Sequence, residues 1–210
     1  MRWTWLAVGL QVASRLAYVL GVGTMLLGQT RQRWFTARHG SEEGYRRFRR
    51  IAAGLMNLDA VTFALACILT RGTLDLPVSP GIRIAIGVVA ILIGASTKLW
   101  ARRTLGSAGY HWRDFFVPPG PGSHRPVGPY RYLKNPMYTV GYLHAYGIAL
   151  VFDSAVGLAL AAFAQLAVLI FYRVVERPHF IELSTAKSPT DEADEADSAS
   201  LTTTKRFLDR

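Results

Sequence analysis

The chain has almost no cysteine. Cys67 is the only one in 210 residues, which excludes an internal disulfide framework and any cysteine-cluster metal site. Flanked by Ala66 and Ile68, it reads as a buried, inert thiol. Charge is scarce too: 18% of residues are charged, against roughly a quarter in soluble domains. Acids are scarcer still, 14 against 24 bases. No internal repeat is visible, which argues against a transporter built from two homologous halves. What is abundant is apolar: half the residues are hydrophobic, far too many for a disordered chain.

Acid is densest at one end. Residues 183–210 hold 6 acids and 4 bases, so residues 1–182 carry 20 bases against 8 acids. In a soluble protein that excess would point to nucleic acid. Here the bases fall between long apolar runs, so no nucleic-acid partner is expected, and charged loops facing anionic lipid are. The apolar runs lie near residues 5–27, 51–70, 82–100, 137–152 and 154–175. Crossing a bilayer takes roughly 20 apolar residues. The expected fold is therefore all-α, a polytopic membrane bundle of about five helices. The fourth run is short, which leaves a partly re-entrant path open. The first run is too long for a cleaved signal peptide and contains Arg15, expected to face the bundle or snorkel.

Loop charge sets the expected orientation. Arg31, Arg33, Arg38, Arg46, Arg47, Arg49 and Arg50 follow the first run; Arg102, Arg103, Arg113, Arg125, Arg131 and Lys134 follow the third. The other two connections carry almost no base. The N-terminus is thus expected outside and the C-terminus in the cytoplasm. Residues 1–182 form the expected membrane domain, and the DEADEAD stretch within 183–210 marks a solvated, disordered acidic tail. The sequence is silent on oligomeric state.

The informative loop is His111–Tyr138, HWRDFFVPPGPGSHRPVGPYRYLKNPMY. It is too long and too aromatic for a plain connector. Asn135 suits a helix N-cap and Pro136 the first helical position, so the fourth span is expected to start there with free N–H groups. Such an end attracts anions, and Arg131 and Lys134 add positive charge. Phospholipid headgroups and a dedicated ligand site are equally consistent with these bases. The fifth run ends at Val175–Glu176–Arg177–Pro178–His179. A tight hairpin returns Glu176 to the face holding Asn135, giving a pocket suited to an amino-acid moiety. The alternative for Glu176 is an interfacial ion pair with Arg173 or Arg177.

GPYRYLKNPMY followed by VVERPHF resembles the superfamily of isoprenylcysteine carboxyl methyltransferases and phospholipid methyltransferases, integral-membrane enzymes that use S-adenosylmethionine. The resemblance covers roughly residues 99–180. Gly128, Pro129, Tyr130, Arg131, Asn135, Pro136 and Tyr138 match the first motif, Lys134 stands where the family has Arg, and His124 resembles its lead-in histidine. Glu176 matches the first acid of the family's acidic pair; Arg177 replaces the second, and the family's downstream aromatic stretch is absent. The resemblance implies that these residues bind S-adenosylmethionine, with Glu176 and Arg131 the candidate catalytic groups. The acceptor it implies is lipophilic, an isoprenylcysteine carboxylate or another lipid. An aminophospholipid, methylated at nitrogen, is the second reading, and a non-catalytic membrane protein of the same fold the third.

Other residues carry less. Asp59 is either an intramembrane functional carboxylate or the partner of Arg15. His144 reads as packing beside Tyr142 and Tyr146. His111, His124 and His179 match no zinc spacing, so no metal is expected.

Overall fold

The computed structural model describes residues 2–109, 111–117, 128–133 and 135–186. Among these residues every regular element is helical: α1 (Arg2–Gln32), α2 (Thr36–His39), α3 (Ser41–Leu69), α4 (Pro80–Gly109), α5 (Leu143–Val151), α6 (Ala155–Phe171) and α7 (Arg177–Ala186), with short 3₁₀ turns at Arg113–Phe115, Gly128–Arg131 and Val140–Tyr142. A π turn, Tyr172–Glu176, joins α6 to α7. Four helical stretches are long and apolar enough to cross a membrane: Trp3–Gln32, Ser41–Leu69, Pro80–Gly106 and Ala155–Glu182. Their outward faces are apolar as well; Leu20, Val61, Val89, Leu92 and Ile170 are all exposed. A helix apolar all round belongs in lipid.

Three expectations need correction. The fourth span is not a full span: its helix is α5, only 9 residues long. Asn135 does not cap it. The residues after it form turns, with Thr139 N–H bonded to Asn135 O and Gly141 N–H to Pro136 O, and Tyr142 precedes α5 without a side-chain cap. The first arginine-rich loop is also mostly helix. Only residues 33–35, the single turn α2 and Gly40 separate α1 from α3, because Arg46–Arg50 lie within the N-terminal part of α3. Arginine is a good helix former, and Glu43 pairs with both Arg46 and Arg47 across one turn. Of the expected acidic tail, residues 183–186 end α7 and residues 187–210 lie outside the described residues.

Close backbone approach docks α5 on α4. A methyl group added at Gly94 would lie 2.3 Å from the His144 nitrogen, and one at Gly147 2.4 Å from the Gly87 carbonyl. Small residues at such crossings are how membrane helices pack without a hydrophobic driving force. At the opposite edge α6 starts with a true cap: Ser154 Oγ accepts from Gly157 N–H at 2.7 Å.

The connections sort onto two ends. Arg113 pairs with Glu42, bringing the segment after α4 to the start of α3. At the other end Arg83 pairs with Asp153, and the amides of Thr73 and Leu74 donate to the Asp153 carbonyl. The base-rich connections therefore share one end of the bundle and the base-poor ones the other. Near the base-rich end lies an aromatic cluster of Phe35, Phe48, Trp112, Phe116 and Phe171, packed edge to face.

Candidate active site

Glu176 sits on the last residue of the π turn, and its side chain is buried. A π turn inserts a residue into a helix and often marks a functional site. Here it turns the carboxylate inward. Glu176 Oε1 accepts from Trp112 Nε1 at 2.6 Å and from Tyr138 Oη at 2.6 Å. The expected return of Glu176 to the motif is thus found, and the ion pair with Arg173 or Arg177 is not: the nearest donors are an indole and a phenol. Burial and the adjacent carboxylate push the Tyr138 phenol well above its ordinary range, so Tyr138 is a firm donor.

Trp112 is the residue that sequence reasoning passed over. It occupies the left-handed backbone region, at φ 57°. For a bulky residue this conformation is an outlier and stores strain. It is held there by the aromatic cluster on one side and by Glu176 on the other. Nothing in HWRDFF announces a left-handed residue, since neither glycine nor asparagine stands at that position.

The first motif is only partly assembled around Glu176. Gly128 has φ +60°, and a methyl group there would meet Thr104 Oγ1 at 2.3 Å, so the turn Gly128–Arg131 lies against α4 at a point only glycine allows. Tyr130 is half-buried and Pro136 fully buried. Pro129 belongs to the same 3₁₀ turn. Asn135 is half-buried, and its Nδ2 has no hydrogen-bond partner among the described residues. Arg131 is exposed. His124 and Lys134 lie outside the described residues.

Next to Trp112 and Tyr138 opens a cavity of about 330 Å³, lined also by Met137 and Tyr142 and reaching across to Arg15, Asp59, Lys98 and His144. Glu176 stands behind its wall rather than in it. Of the two readings of Asp59, the structural one holds: it pairs with Arg15 at 2.5 Å. His144 does more than pack, since its ring meets Lys98 and the Gly141 carbonyl.

The donor set suits a polar, carboxylate-bearing cofactor. Asn135 Nδ2 is a buried donor lacking an acceptor, a position that costs free energy until one arrives.

Comparison with known proteins bears on the same region. A family model described as phospholipid methyltransferase matches residues 82–184, from the start of α4 into α7. Proteins named phosphatidylethanolamine N-methyltransferase are similar to the chain. The one from Candida dubliniensis is 35% identical over 98 residues, 46% of this chain and 11% of the relative. The one from Chaetomium globosum is 28% identical over 168 residues, 76% of this chain and 17% of the relative. The one from Malassezia globosa is 27% identical over 183 residues, 82% of this chain and 19% of the relative. The chain thus spans less than a fifth of the length of these relatives. No solved structure matches. With its four long apolar helices, the protein is a multi-pass membrane protein of the membrane methyltransferase superfamily. More narrowly, residues 82–184 are similar to the phospholipid methyltransferase family.

Proposed function

We propose that the protein transfers methyl groups from S-adenosylmethionine to the amine of a phosphatidylethanolamine-type phospholipid. The observation that carries this reading is the family match over residues 82–184, the same stretch that holds both partners of the Tyr138–Glu176 hydrogen bond. The names of the relatives favour this acceptor over an isoprenylcysteine carboxylate.

When bound, S-adenosylmethionine supplies a methyl group already activated on a sulfonium. Asn135, Tyr130 and the Gly128 turn would hold it, with Arg131, His124 and Lys134 of the same motif nearby in sequence. The chain's remaining task is to orient the acceptor and take a proton. An aminophospholipid arrives as an ammonium and must lose a proton before nitrogen can attack. Tyr138 lines the cavity and donates to Glu176. A phenol both donates and accepts, so Tyr138 Oη takes the acceptor's proton as it passes its own to Glu176 Oε1. Trp112 holds the same oxygen in place. Glu176 is then the proton store behind the wall, and Tyr138 the group that meets the acceptor.

The reading puts the base-rich end of the bundle in the cytoplasm, as loop charge predicts. Its test uses purified protein in lipid nanodiscs with label on the methyl of S-adenosylmethionine. Label is expected in phosphatidylethanolamine, and little in a farnesylcysteine acceptor supplied at equal concentration. Label in the farnesylcysteine alone would restore the first acceptor.

A further inference from the structure

The cavity beside Tyr138 holds a charge that its own walls do not balance. Arg15 from α1 and Asp59 from α3 neutralise each other at 2.5 Å. Arg15 also donates to Tyr142 Oη at 3.0 Å, and Gln11 Nε2 adds a bond to Asp59 Oδ1 at 3.3 Å. Lys98, on α4, is left over. Its Nζ lies 3.4 Å from His144 Nε2 and 5.1 Å from the centroid of the Tyr142 ring, and among the described residues it forms no ion pair. In addition Arg15 Nε is buried with no acceptor. The cavity therefore presents an unbalanced ammonium and an unused guanidinium N–H within a wall that is otherwise largely apolar, including Met56, Phe63, Ile148 and Val168. A cation kept in such a place without an anion is costly, and in a membrane span it marks a functional site.

We infer that this cavity binds the phosphodiester of a glycerophospholipid, with Lys98 as its charged contact and Arg15 Nε as a second donor. The inference rests on the proposed activity and names the part of the acceptor that the motif residues leave unheld. A phosphodiester carries the missing negative charge and several acceptor oxygens. Tyr138 lines the same cavity, so the chain offers one group for the phosphate and another for the amine two carbons away. The cofactor's carboxylate and free phosphate share the oxyanion chemistry. The lipid is favoured by the apolar remainder of the wall and by α4 itself, whose Val88, Leu92 and Leu99 are exposed to the surroundings where acyl chains would lie.

The test measures binding by the full chain in neutral detergent, by native mass spectrometry, with four probes: dioleoylphosphatidylethanolamine, dioleoylglycerol, inorganic phosphate and S-adenosylhomocysteine. The wild type is expected to hold one phospholipid and to prefer it over dioleoylglycerol by tenfold or more. Lys98→Met keeps the length of the side chain and removes the charge. It should weaken phospholipid binding about ten- to hundredfold, as loss of a charged hydrogen bond does, and leave S-adenosylhomocysteine binding unchanged. Its thermal stability without lipid should equal or exceed the wild type, since no unbalanced charge remains. Lys98→Arg should restore lipid binding to within about threefold, the charge being kept. Equal phospholipid affinity in Lys98→Met and wild type overturns the inference, as does a Lys98 dependence seen for S-adenosylhomocysteine or inorganic phosphate instead. Should Lys98→Met fail to fold, a wild type that does not distinguish phospholipid from dioleoylglycerol overturns it equally. No turnover is needed, so lipid binding through Lys98 in a protein that transfers no methyl group sinks the proposed activity and leaves this site standing.

Discussion

At Glu176 two donors converge on one oxygen. Trp112 and Tyr138 come from segments 64 and 38 residues away, and both bonds are short. Removing the acceptor strands two inward-facing donors, each costing about 1–3 kcal/mol when buried without a partner. Glu176→Ala is therefore expected to lower stability by about 2–6 kcal/mol, read as thermal unfolding in detergent. Glu176→Gln keeps a carbonyl oxygen for both donors and should unfold closer to the wild type. Tyr138→Phe separates structure from chemistry. It leaves the Trp112–Glu176 bond intact, so stability should fall by about 1 kcal/mol. Methyl transfer should fall by about 10²–10⁴-fold, the usual contribution of a positioned proton-transfer group. Turnover near the wild-type rate in Tyr138→Phe would remove that residue from the chemistry.

Among the elements, the contact of α4 with α5 is the one most exposed to substitution. Gly94→Ala places a methyl group 2.3 Å from the His144 backbone nitrogen, so α5 must move. A cost of about 1–3 kcal/mol is expected, as for overpacking a well-packed core. Gly54→Ala on α3, where nothing lies within 4 Å of the added carbon, is the control. It should be neutral or stabilising by about 0.5–1 kcal/mol, the usual gain of alanine over glycine inside a helix. Comparable losses in the two variants would show that backbone approach does not hold α5.

These elements differ in how plainly the sequence announces them. The helices α1, α3, α4 and α6 follow long apolar runs, which hydropathy reads directly. Their ends do not, because Arg46–Arg50 extend α3 through helix propensity and local ion pairs rather than through apolar burial. Asn135–Pro136 is a good local start signal that tertiary structure overrides. Pro136 gives its carbonyl to Gly141, and Gly141 packs against the Lys98 side chain, so the chain turns before it becomes helical. The meeting of Glu176 with the motif was legible from the hairpin and the resemblance. Trp112 and Lys98 were not, because what singles them out is a positive φ and a missing counter-ion, and neither leaves a mark on residue spacing.

On the scale of the whole molecule, two sets of connections define two ends. The pairs Arg113–Glu42 and Arg83–Asp153 tie each set together. Cysteines introduced at Arg46 and Asp75, in a Cys67→Ala background, test the orientation. With an impermeant maleimide on intact cells, the site at 75 should label, and the site at 46 only after permeabilisation. The reverse pattern would invert the assignment and place the Glu176 site outside. The central claim is methylation of phosphatidylethanolamine through that site. Its most direct measurement is the headgroup mass of the phosphatidylethanolamine pool in cells that lack this methylation and express either the wild-type chain or Tyr138→Phe. The account predicts a lipid heavier by one methylene unit with the wild type and nearly none with the variant. An unchanged pool with both proteins, or an equal shift with both, would contradict it.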